Sequence, residues 1–541
     1  MSARHDEWVP PLALAVLVAL LFRGAPHGGD FFWSDAPRHA LNGVFVKDLL
    51  LDLPWRDPAG YAYRYYAQYP ALTILFYPPL FYFVSAPFYA VFGVSQETAL
   101  LVVALHYVAL AWGVWRLFRH WLPAWPAAAG AAMLVAAPEI AFWGRQLMLE
   151  IPAFAFLVWA NVCFVDHLRS GKPRALYWAV ALLVLAMYTK ISVGFVALAW
   201  AGTLLVERRA ALLRDRHMWI AAVLAIVALV PLIVLTLKFG QANVQSVSGV
   251  PDSRVSRATI AGWIWYLKEF PGQLGWPLCI AAAVGVGAGF FRRHGAAASI
   301  TRSEMAFWVL WFLIGYLFYS LIDLKEARHS VFILPPLVFA ATALAARLAQ
   351  GPVSMIGRAL LAVLPAVVIA QTAFARPVFY VHGYAEVADY VARHAPRDSR
   401  VLFSGYRDGA FTFNMRSRED RRDLGVVRAD KILLRVAVRR EIGVAQKALG
   451  EADIAAQINA LGIHYVVAQP GFWTDLEVMQ RFERVLASDQ FEPVATIETP
   501  ANYPAQEQRL VIYRNKGDVA AAGAAQSIEL PIIGRTIDTA K

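Results

Sequence analysis

The chain has 541 residues, of which 59% are hydrophobic and 16% are charged, and its mean hydropathy is +0.48. This composition excludes an ordinary soluble protein and predicts a polytopic membrane protein, because apolar runs near or above the roughly 18 residues that cross a bilayer recur along residues 9–375. The formal net charge of +11 arises from Lys and Arg in short loops between these runs, so the positive-inside rule explains it and argues against a nucleic-acid partner. The two cysteines, Cys163 and Cys279, each lie inside an apolar run and predict neither a disulfide framework nor a thiolate metal site.

The first apolar run, VPPLALAVLVALLF, is followed directly by Arg23 and carries no A-x-A cleavage pattern, which indicates an uncleaved first span. The chain is predicted to have about eleven transmembrane helices and at most thirteen. The eleven lie near 9–23, 97–117, 122–142, 150–167, 175–189, 192–206, 218–238, 273–290, 305–322, 330–347 and 357–374.

A further run, PPLFYFVSAPFYAVFG at 78–93, is aromatic and interrupted by Pro87, which favours an interfacial or re-entrant helix. If this run spanned the membrane, the topology downstream would invert. The distribution of basic residues favours eleven spans with a cytoplasmic N-terminus. On this topology the inner loops hold Arg116, Arg119, Arg169, Lys172, Arg174, Arg208, Arg209, Arg214, Arg216, Arg292, Arg293, Arg302, Arg347 and Arg358, whereas the short outer loops hold only Arg145, Lys190, Lys325 and Arg328.

This topology divides the chain into a transmembrane domain at 1–375, with a first non-cytoplasmic loop at 24–96, and a soluble domain at 376–516 on the same outer side. The soluble domain is predicted to be α/β, because YAEVADYVARHA has helical amphipathicity and RVLFSG, IHYVVAQP and QRLVIYR have the character of short strands. The last residues, 517–541, are predicted to be a disordered tail.

Four polar clusters are predicted to lie at the outer face, where ionisable groups beside a membrane usually face a cavity or a partner. The first is WSDAPRHALNG, in which Asp35, Arg38 and His39 share one face of a helix by their i, i+3 and i, i+4 spacing. This cluster can also be a solvated loop helix with an internal ion pair. The second is WGRQLMLEIP, with Arg145 and Glu150, where Glu150 can also simply complement the dipole at a helix N-terminus.

The third cluster is YTKISVG, in which Lys190 interrupts a long apolar stretch, and its ammonium either meets an anion or snorkels to the interface. The fourth is DLKEARHSVFILPP, in which Lys325, Arg328 and His329 come just before the tenth span. These three residues can also be ordinary solvated loop charges. Because all four lie on one side, we expect them to line one site. Lys and Arg are the usual binders of phosphate oxygens, and a carboxylate can act as general base toward an acceptor hydroxyl.

The order of these motifs resembles that of the integral-membrane GT-C glycosyltransferases, in the superfamily of the protein O-mannosyltransferases and lipid A aminoarabinose transferases. Asp35 to His39 is similar to the family's acidic D-E-x-[RH]-Y-type motif, which implies that Asp35 is the catalytic carboxylate and Arg38 its basic companion. Ala36 stands where a second acidic residue is common, and His39 stands in place of the tyrosine.

Later motifs follow in the family's order. Tyr77 to Gly93 resembles its PPL…LFG segment, with Tyr77 in place of a basic residue of some members. The run from Arg145 to Pro152 resembles its R…D-x-P pattern, which implies Glu150 as a second catalytic acidic residue. Thr189-Lys190 resembles its T-K, and Arg328-His329 with Pro335 and Pro336 resembles its R-Y…P motif. The segment RDLGVVRADKILL resembles part of the variable outer domain of bacterial members.

The resemblance implies a hexosyl- or pentosyltransferase of the bacterial inner membrane that takes a sugar from a polyprenyl-phosphate donor, with membrane lipid around it. The acceptor would be an envelope protein, lipid A, a glycan or a lipid, and the transfer would invert the anomeric carbon with no metal or other cofactor. Donor phosphate binding would fall to Lys190, Arg38, Arg145 and Arg328, and other substrate contacts to His39, Tyr77, His329 and Lys325.

Two alternatives remain open at the level of the sequence. A transporter or flippase of polyprenyl-linked sugars would carry inverted repeats and broken helices with charge at the bilayer midplane, whereas the charge here is predicted at one outer edge. A catalytically degenerate member of the superfamily would keep the fold without the chemistry.

Overall fold

In the computed structural model, the described backbone covers residues 2–28, 30–208, 215–248, 255–291, 300–375, 377–436, 440, 443–521, 527–530 and 535–538. Sixteen helices precede residue 376. They are α1 Ser2–Phe22, α2 Ala36–Asp52, α3 Pro58–Gln68, α4 Leu80–Phe92, α5 Gln96–Phe118, α6 Ala124–Ala136, α7 Pro138–Gly144, α8 Glu150–Ser170, α9 Pro173–Thr189, α10 Phe195–Arg208, α11 Arg216–Ser248, α12 Ile260–Leu274, α13 Trp276–Phe291, α14 Arg302–Ser320, α15 Leu334–Leu348 and α16 Ser354–Ala375. Short 3-10 turns at Ile191–Gly194 and Ala327–Ile333 lead into α10 and α15.

Each of the eleven predicted spans overlaps a helix or a pair of consecutive helices. Among the described residues, six helices are long and apolar enough to cross a membrane, and α6 with α7 forms a further candidate bent by 69°. Shorter apolar helices occupy the places of the other predicted spans. The prediction of a polytopic helical membrane protein is therefore confirmed. Of the predicted inner-loop cations, Arg209, Arg214, Arg292 and Arg293 lie outside the described residues. The same holds for part of residues 239–272, which the eleven-span topology predicts to be a second loop on the outer side.

Helix α4 begins and ends on the same side of the bundle. Three residues before α4 begins, the ring of Tyr77 packs on the ring of His39, which belongs to the first polar cluster. Just after α4, the Glu97 carboxylate accepts the Gly28 amide at 2.9 Å, so the start of α5 lies beside the end of α1. With 13 residues α4 is one of the shorter apolar helices, and the common side of its two ends is the arrangement expected of an interfacial or re-entrant helix.

The C-terminal part is an α/β domain built on a five-stranded sheet in the order β4-β3-β7-β9-β8. The parallel strands are β3 Arg400–Ser404, β4 Gly425–Arg428 and β7 Ile463–Ala468, and the antiparallel ones are β8 Phe491–Glu498 and β9 Arg509–Asn515. The helices are α17 Tyr384–His394, α18 Asp408–Ser417, α19 Ala429–Leu433, α20 Glu451–Ala460 and α21 Glu477–Leu486. Apolar side chains fill a core on each face of the sheet.

Three two-stranded pairs complete the secondary structure. They are β1 Asp30–Phe31 with β2 Tyr380–Val381, β5 Leu434–Val436 with β6 Val444–Gln446, and β10 Ser527–Leu530 with β11 Arg535–Asp538. The first pair joins the loop after α1 to the C-terminal domain. The last pair lies in the predicted tail at 517–541, much of which falls outside the described residues.

The C-terminal domain is fastened to α2 by buried polar contacts from α18. The carboxylate of Asp48 accepts bonds from Arg416 Nη2 at 2.6 and 2.7 Å, and both side chains are fully buried. Asp30 accepts the amide of Tyr384 at 3.0 Å and the side-chain amide of Asn414 at 2.5 Å. The loop and helix that follow α1 are thus held between the membrane domain and the sheet.

Candidate functional site

Asp35 is the residue that precedes α2, two positions before Pro37 in the first turn of the helix. Its carbonyl accepts the amide of His39 at 2.9 Å, whereas its side chain forms no cap bond. The carboxylate is half-buried, and among the described residues it has no hydrogen-bond or ion-pair partner. The alternative of an internal ion pair with Arg38 is therefore wrong, because Arg38 binds elsewhere.

Glu150 and Lys190 meet at one end of the bundle, which we call the Asp35 end. Glu150 begins α8 and Lys190 follows the last residue of α9, so the antiparallel packing of these helices brings the two side chains together. Lys190 Nζ donates to Glu150 Oε1 at 2.9 Å, while Glu150 Oε2 is buried and has no hydrogen-bond partner among the described residues. The predicted anion for the lysine is thus a side chain of the chain itself, and one carboxylate oxygen stays unused.

Arg328 lies beside the same carboxylate. Its Nη1 is 3.8 Å from Glu150 Oε1, and its Nε donates to Glu326 Oε2 at 2.5 Å. The guanidinium carbon lies 5.2 Å from the ring centres of both Trp33 and Trp143, which meet edge to face. Cation–π attraction to two indoles fixes the arginine and links it to Trp33, two residues before Asp35.

His39 and Tyr77 line the space between Asp35 and this cluster. His39 is fully buried, its Nδ1 is 2.9 Å from the hydroxyl of Tyr82, and its ring packs edge to face on Tyr77. Burial lowers the pKa of His39 to about 4, against the opposing pull of Asp35 and Glu150. Burial likewise raises the pKa of Tyr77, and Asp35 adds to that shift. At neutral pH both side chains are therefore uncharged hydrogen-bonding groups and not phosphate-binding cations.

His329 follows Arg328 in the 3-10 turn and lies near enough to Glu150 to interact electrostatically. Asn42, the amide of the first polar cluster, has a structural role. Its side chain accepts the amide of Thr73 at 2.9 Å and donates to the Thr73 hydroxyl at 3.2 Å. These bonds hold the loop that carries Tyr77 against α2.

Three predicted site residues make their described contacts elsewhere. Arg38 donates to both oxygens of Asp408 at 3.0 Å, although its charge still influences Tyr77. Arg145 donates to the carbonyl of Ala141 at 2.8 Å, and its guanidinium lies so close to Gly24 that a Cβ there would be 2.7 Å from Nη1. Whether Arg145 also reaches a donor phosphate stays a prediction.

Lys325 is the third of these residues. It donates to the carbonyls of Ser320 at 2.6 Å and Tyr319 at 3.2 Å, and so satisfies the C-terminal end of α14. Burial lowers the pKa of this lysine. Its described contacts are those of a helix cap, and a substrate contact by Lys325 stays a prediction.

Several neighbours of the site were not singled out from the sequence. Trp33 and Trp143 begin two of the polar clusters, and a tryptophan beside each charged group was a signal that could have found them. Asp408, the partner of Arg38, lies about 370 residues further along the chain and has no local pattern that marks it.

Comparisons with known proteins agree with this architecture. Residues 77–235 match the model of a family described as dolichyl-phosphate-mannose-protein mannosyltransferase. No curated protein sequence matches the chain.

The similar solved structures include ArnT from Cupriavidus metallidurans bound to undecaprenyl phosphate, at 14% identity and a TM-score of 0.61, covering 96% of this chain and 99% of that one. The oligosaccharyltransferase AglB from Archaeoglobus fulgidus, in complex with an inhibitory peptide and a dolichol-phosphate, matches at 13% identity and a TM-score of 0.50 over 86% of this chain and 70% of its own. The arabinofuranosyltransferase AftD from Mycobacteria matches at 14% identity and a TM-score of 0.50 over 96% of this chain and 42% of its own. The resemblance predicted from the sequence is therefore confirmed at the level of the fold: the chain has the fold of these membrane glycosyltransferases, with a C-terminal α/β domain.

Proposed function

We propose that this protein transfers a sugar from a polyprenyl-phosphate carrier to an envelope acceptor, with Asp35 as general base. The observation that carries the proposal is the pairing pattern at the Asp35 end. Glu150 is matched by Lys190 and Arg328, whereas Asp35 has no described partner and lies across from them. A general base needs such an available carboxylate, and a donor phosphate needs nearby cations.

In the proposed step, Asp35 takes the proton from the acceptor hydroxyl as its oxygen attacks the anomeric carbon. The bond between that carbon and the phosphate oxygen breaks, and polyprenyl phosphate leaves with the bonding electrons. Attack from the side opposite the leaving group inverts the anomeric carbon. Lys190 and Arg328 offset the charge on the departing phosphate, and the proposal assigns no step to a divalent metal.

Lys190 and Arg328 keep N–H donors that can bind the phosphate, although both side chains are paired with carboxylates. An ammonium has three N–H donors, and the described bond to Glu150 uses one of those on Lys190. A guanidinium has five, and Arg328 directs Nε to Glu326. Glu150 is proposed to hold both cations in place, and its free Oε2 to position the acceptor or a water.

The bound molecules of the similar structures support the choice of donor. ArnT was solved with undecaprenyl phosphate and AglB with a dolichol-phosphate, which are both lipid phosphates. The position of the charges supports an enzyme over a transporter, because Glu150 and Lys190 lie at helix ends and not at the middle of spans.

The proposed location is the bacterial inner membrane with the C-terminal domain in the periplasm. The basic residues Arg116 and Arg169 lie at the other end of the bundle from Asp35, at the last turns of α5 and α8. By the positive-inside rule that end is cytoplasmic, which puts Asp35 and the sheet domain outside.

The test is complementation of a deletion strain, with envelope glycans compared by mass spectrometry. Wild-type protein should restore a sugar that the deletion strain lacks. Asp35→Asn should reduce its transfer by about 10²- to 10⁴-fold while the variant accumulates normally in the membrane. Asp57→Asn is the matched control, because Asp57 is an exposed cap of α3 in the same loop and asparagine caps equally well. Full restoration by Asp35→Asn would refute the base assignment.

A further inference from the structure

A cavity of about 240 Å³ lies in the C-terminal domain, apart from the Asp35 site. It is bounded by the ends of β3 and β7 and by one face of α21. Its walls include Ser404, Gln469, Phe472, Phe482 and Tyr513. This volume is below the roughly 300–1,000 Å³ typical of pockets for drug-sized ligands, so it suits a small ligand or one unit of a larger one.

The topology of the sheet makes this position a natural binding site. Strand β3 is flanked by β4 on one side and β7 on the other, and all three are parallel. The chain goes from β3 to β4 and only later to β7, so the strand order reverses between β3 and β7. Ligands of open α/β sheets bind outside the carboxyl ends of strands at such a reversal, and Ser404 and Gln469 are the residues at those ends.

The cavity is lined by polar side chains whose described hydrogen bonds leave some of their donors and acceptors available. Ser404 and Gln469 are 4% and 5% exposed. Gln469 Oε1 accepts the amide of Tyr406 at 3.2 Å, whereas its Nε2 and the Ser404 hydroxyl make no described hydrogen bond. Tyr513 is half-buried, and its hydroxyl likewise makes no described hydrogen bond. The cavity wall therefore presents three polar groups that are available to a ligand or to water.

The chemistry of the walls favours a neutral polyhydroxylated ligand. Two hydroxyls can donate or accept, the Gln469 amide donates, and the carboxylate of Glu483 accepts. Glu483 already takes the Gly471 amide at 2.7 Å and would repel a phosphate or a carboxylate. Of the cations nearby, Arg440 is paired with Asp475, and Arg509 is exposed to solvent while it acts electrostatically on Tyr513. Mixed donors and acceptors beside the Glu483 carboxylate favour sugar hydroxyls over a phosphate.

An aromatic cluster adjoins the cavity. Phe472 stacks on Trp473 with ring centres 4.6 Å apart, and Tyr406 meets Phe472 edge to face at 4.9 Å. Trp473 has a φ of 54°, in the left-handed region that a bulky residue rarely adopts. Such strain is kept where the surrounding structure requires it, and flat rings of this kind pack against the C–H faces of sugar rings.

The cavity lies on the edge of the sheet that faces the proposed site. Ser404 is four residues before Asp408, so their Cα atoms are at most about 14 Å apart. Asp408 binds Arg38, which is three residues after Asp35. A glycan of a few sugar units therefore has the length to reach from the cavity to the base.

We propose that this cavity binds a neutral sugar unit of the acceptor, which makes the acceptor a glycan or a glycolipid. The inference rests on the proposed function, and it adds the substrate class. The bound unit is not the one that reacts. It holds the acceptor so that a hydroxyl several ångströms along the glycan meets Asp35.

The first test is direct binding by saturation-transfer NMR, with the full-length protein in lipid nanodiscs. The probes are neutral trisaccharides of glucose, galactose, mannose and N-acetylglucosamine, with glucuronic acid and inorganic phosphate as anionic comparators. At least one trisaccharide should bind. Tyr513→Phe should weaken it by about 3- to 10-fold through loss of one hydrogen bond, and Ala468→Leu, which fills the cavity, should abolish it.

The matched control is Tyr465→Phe, because Tyr465 lies on the neighbouring strand but packs in the core on the other face of the sheet. Binding should be unchanged in that variant and in Asp35→Asn. No binding of any trisaccharide, binding of the anions alone, or binding that survives Ala468→Leu in a folded protein would overturn the proposal.

The second test links the cavity to transfer. Once the acceptor is known, Tyr513→Phe should raise its KM and leave kcat unchanged, whereas a merely structural defect would lower kcat and protein yield together. If Asp35→Asn retained full transfer while the trisaccharide still bound, the proposed base would be refuted and the sugar site would stand. If transfer needed Asp35 but the KM were unaffected by filling the cavity, the acceptor assignment would fail alone.

Discussion

The two ends of the helix bundle both carry buried charges, but they use them differently. At the end opposite Asp35, Arg169 Nε donates to Glu304 at 2.6 Å, and His120 Nε2 lies 2.8 Å from Asp166. At the Asp35 end, Glu150 has one oxygen without a partner, and Asp35 has no described partner at all. Paired charges at helix ends serve packing, so paired charge alone does not identify a site. A carboxylate that has no described partner and lies beside paired cations does identify a candidate site.

The largest effect on stability is expected where the Asp35 end joins the sheet domain. Arg416→Leu would remove the closest cation from the fully buried Asp48 and leave it with Lys47 at 3.4 Å, Arg422 at 3.8 Å and the Tyr65 hydroxyl at 2.9 Å, which costs about 3 kcal/mol. The melting temperature in detergent should fall accordingly. The double variant Asp48→Leu/Arg416→Met should recover most of the loss, because it removes the buried carboxylate together with its closest cation, while Lys47 keeps its partner Glu419. A single variant as stable as wild type would show that this pair does not hold the two domains together.

The next largest expected effect is a dependence of stability on pH, caused by Asp30. Burial raises the pKa of Asp30 from 3.8 to about 6, so the folded state holds this proton more tightly than the unfolded state. The resulting stabilisation is fully present below pH 4 and is lost as the pH rises through about 6, with a size on the order of 3 kcal/mol.

The measurement for Asp30 is the melting temperature against pH, for the wild type and for Asp30→Asn. The difference between them should change between pH 4 and pH 7, with the wild type losing stability relative to the variant as the pH rises. Parallel curves would exclude a shifted titration of Asp30.

One substitution at each end of the bundle tests whether Glu150 and Glu304 have different roles. Glu150→Gln should lower transfer by about 10²-fold, because Lys190 and Arg328 lose the anion that holds them. Glu304→Gln removes the corresponding partner of Arg169 and should lower stability with little change in transfer. Equal losses of transfer at both ends would mean that Glu150 is only a packing residue.

The smallest effect is expected one contact away from the base. Asp408→Asn weakens the link between Arg38 on α2 and the sheet domain, and kcat should fall by about 10-fold with donor KM unchanged. Asp430→Asn is the control, since Asp430 binds Arg428 and has no described bond to Arg38. Arg428 pairs with both Asp408 and Asp430. If the two variants lowered kcat alike, the loss would come from disturbing Arg428 and not from a shift in the position of Asp35.

The sequence predicted the features that depend on local pattern. Apolar runs located the membrane helices, and the run interrupted by Pro87 forms the short helix α4, whose two ends lie on one side of the bundle. The shared side of Glu150, Lys190 and Arg328 followed from counting spans, and the structure brings these three together.

What the sequence could not predict is where flexible side chains bind. Lys325 and Arg328 are three residues apart in one motif, yet Lys325 turns back to cap α14 while Arg328 lies between two indoles. Arg38 was expected beside Asp35, but its partner Asp408 comes from a domain that only the fold brings near. Pairings of this kind depend on tertiary structure and leave no periodic signal.

The fastening of α2 to α18 has a consequence for the order in which the protein matures. The helix that carries Asp35 is synthesised early, but the partners of Arg38 and Asp48 are Asp408 and Arg416, about 370 residues later. Contacts of such high sequence separation form late in folding. A ribosome-bound chain inserted in the membrane therefore has its spans long before α2 has its partners in α18, so on the proposed function the site would be complete only after the C-terminal domain has folded.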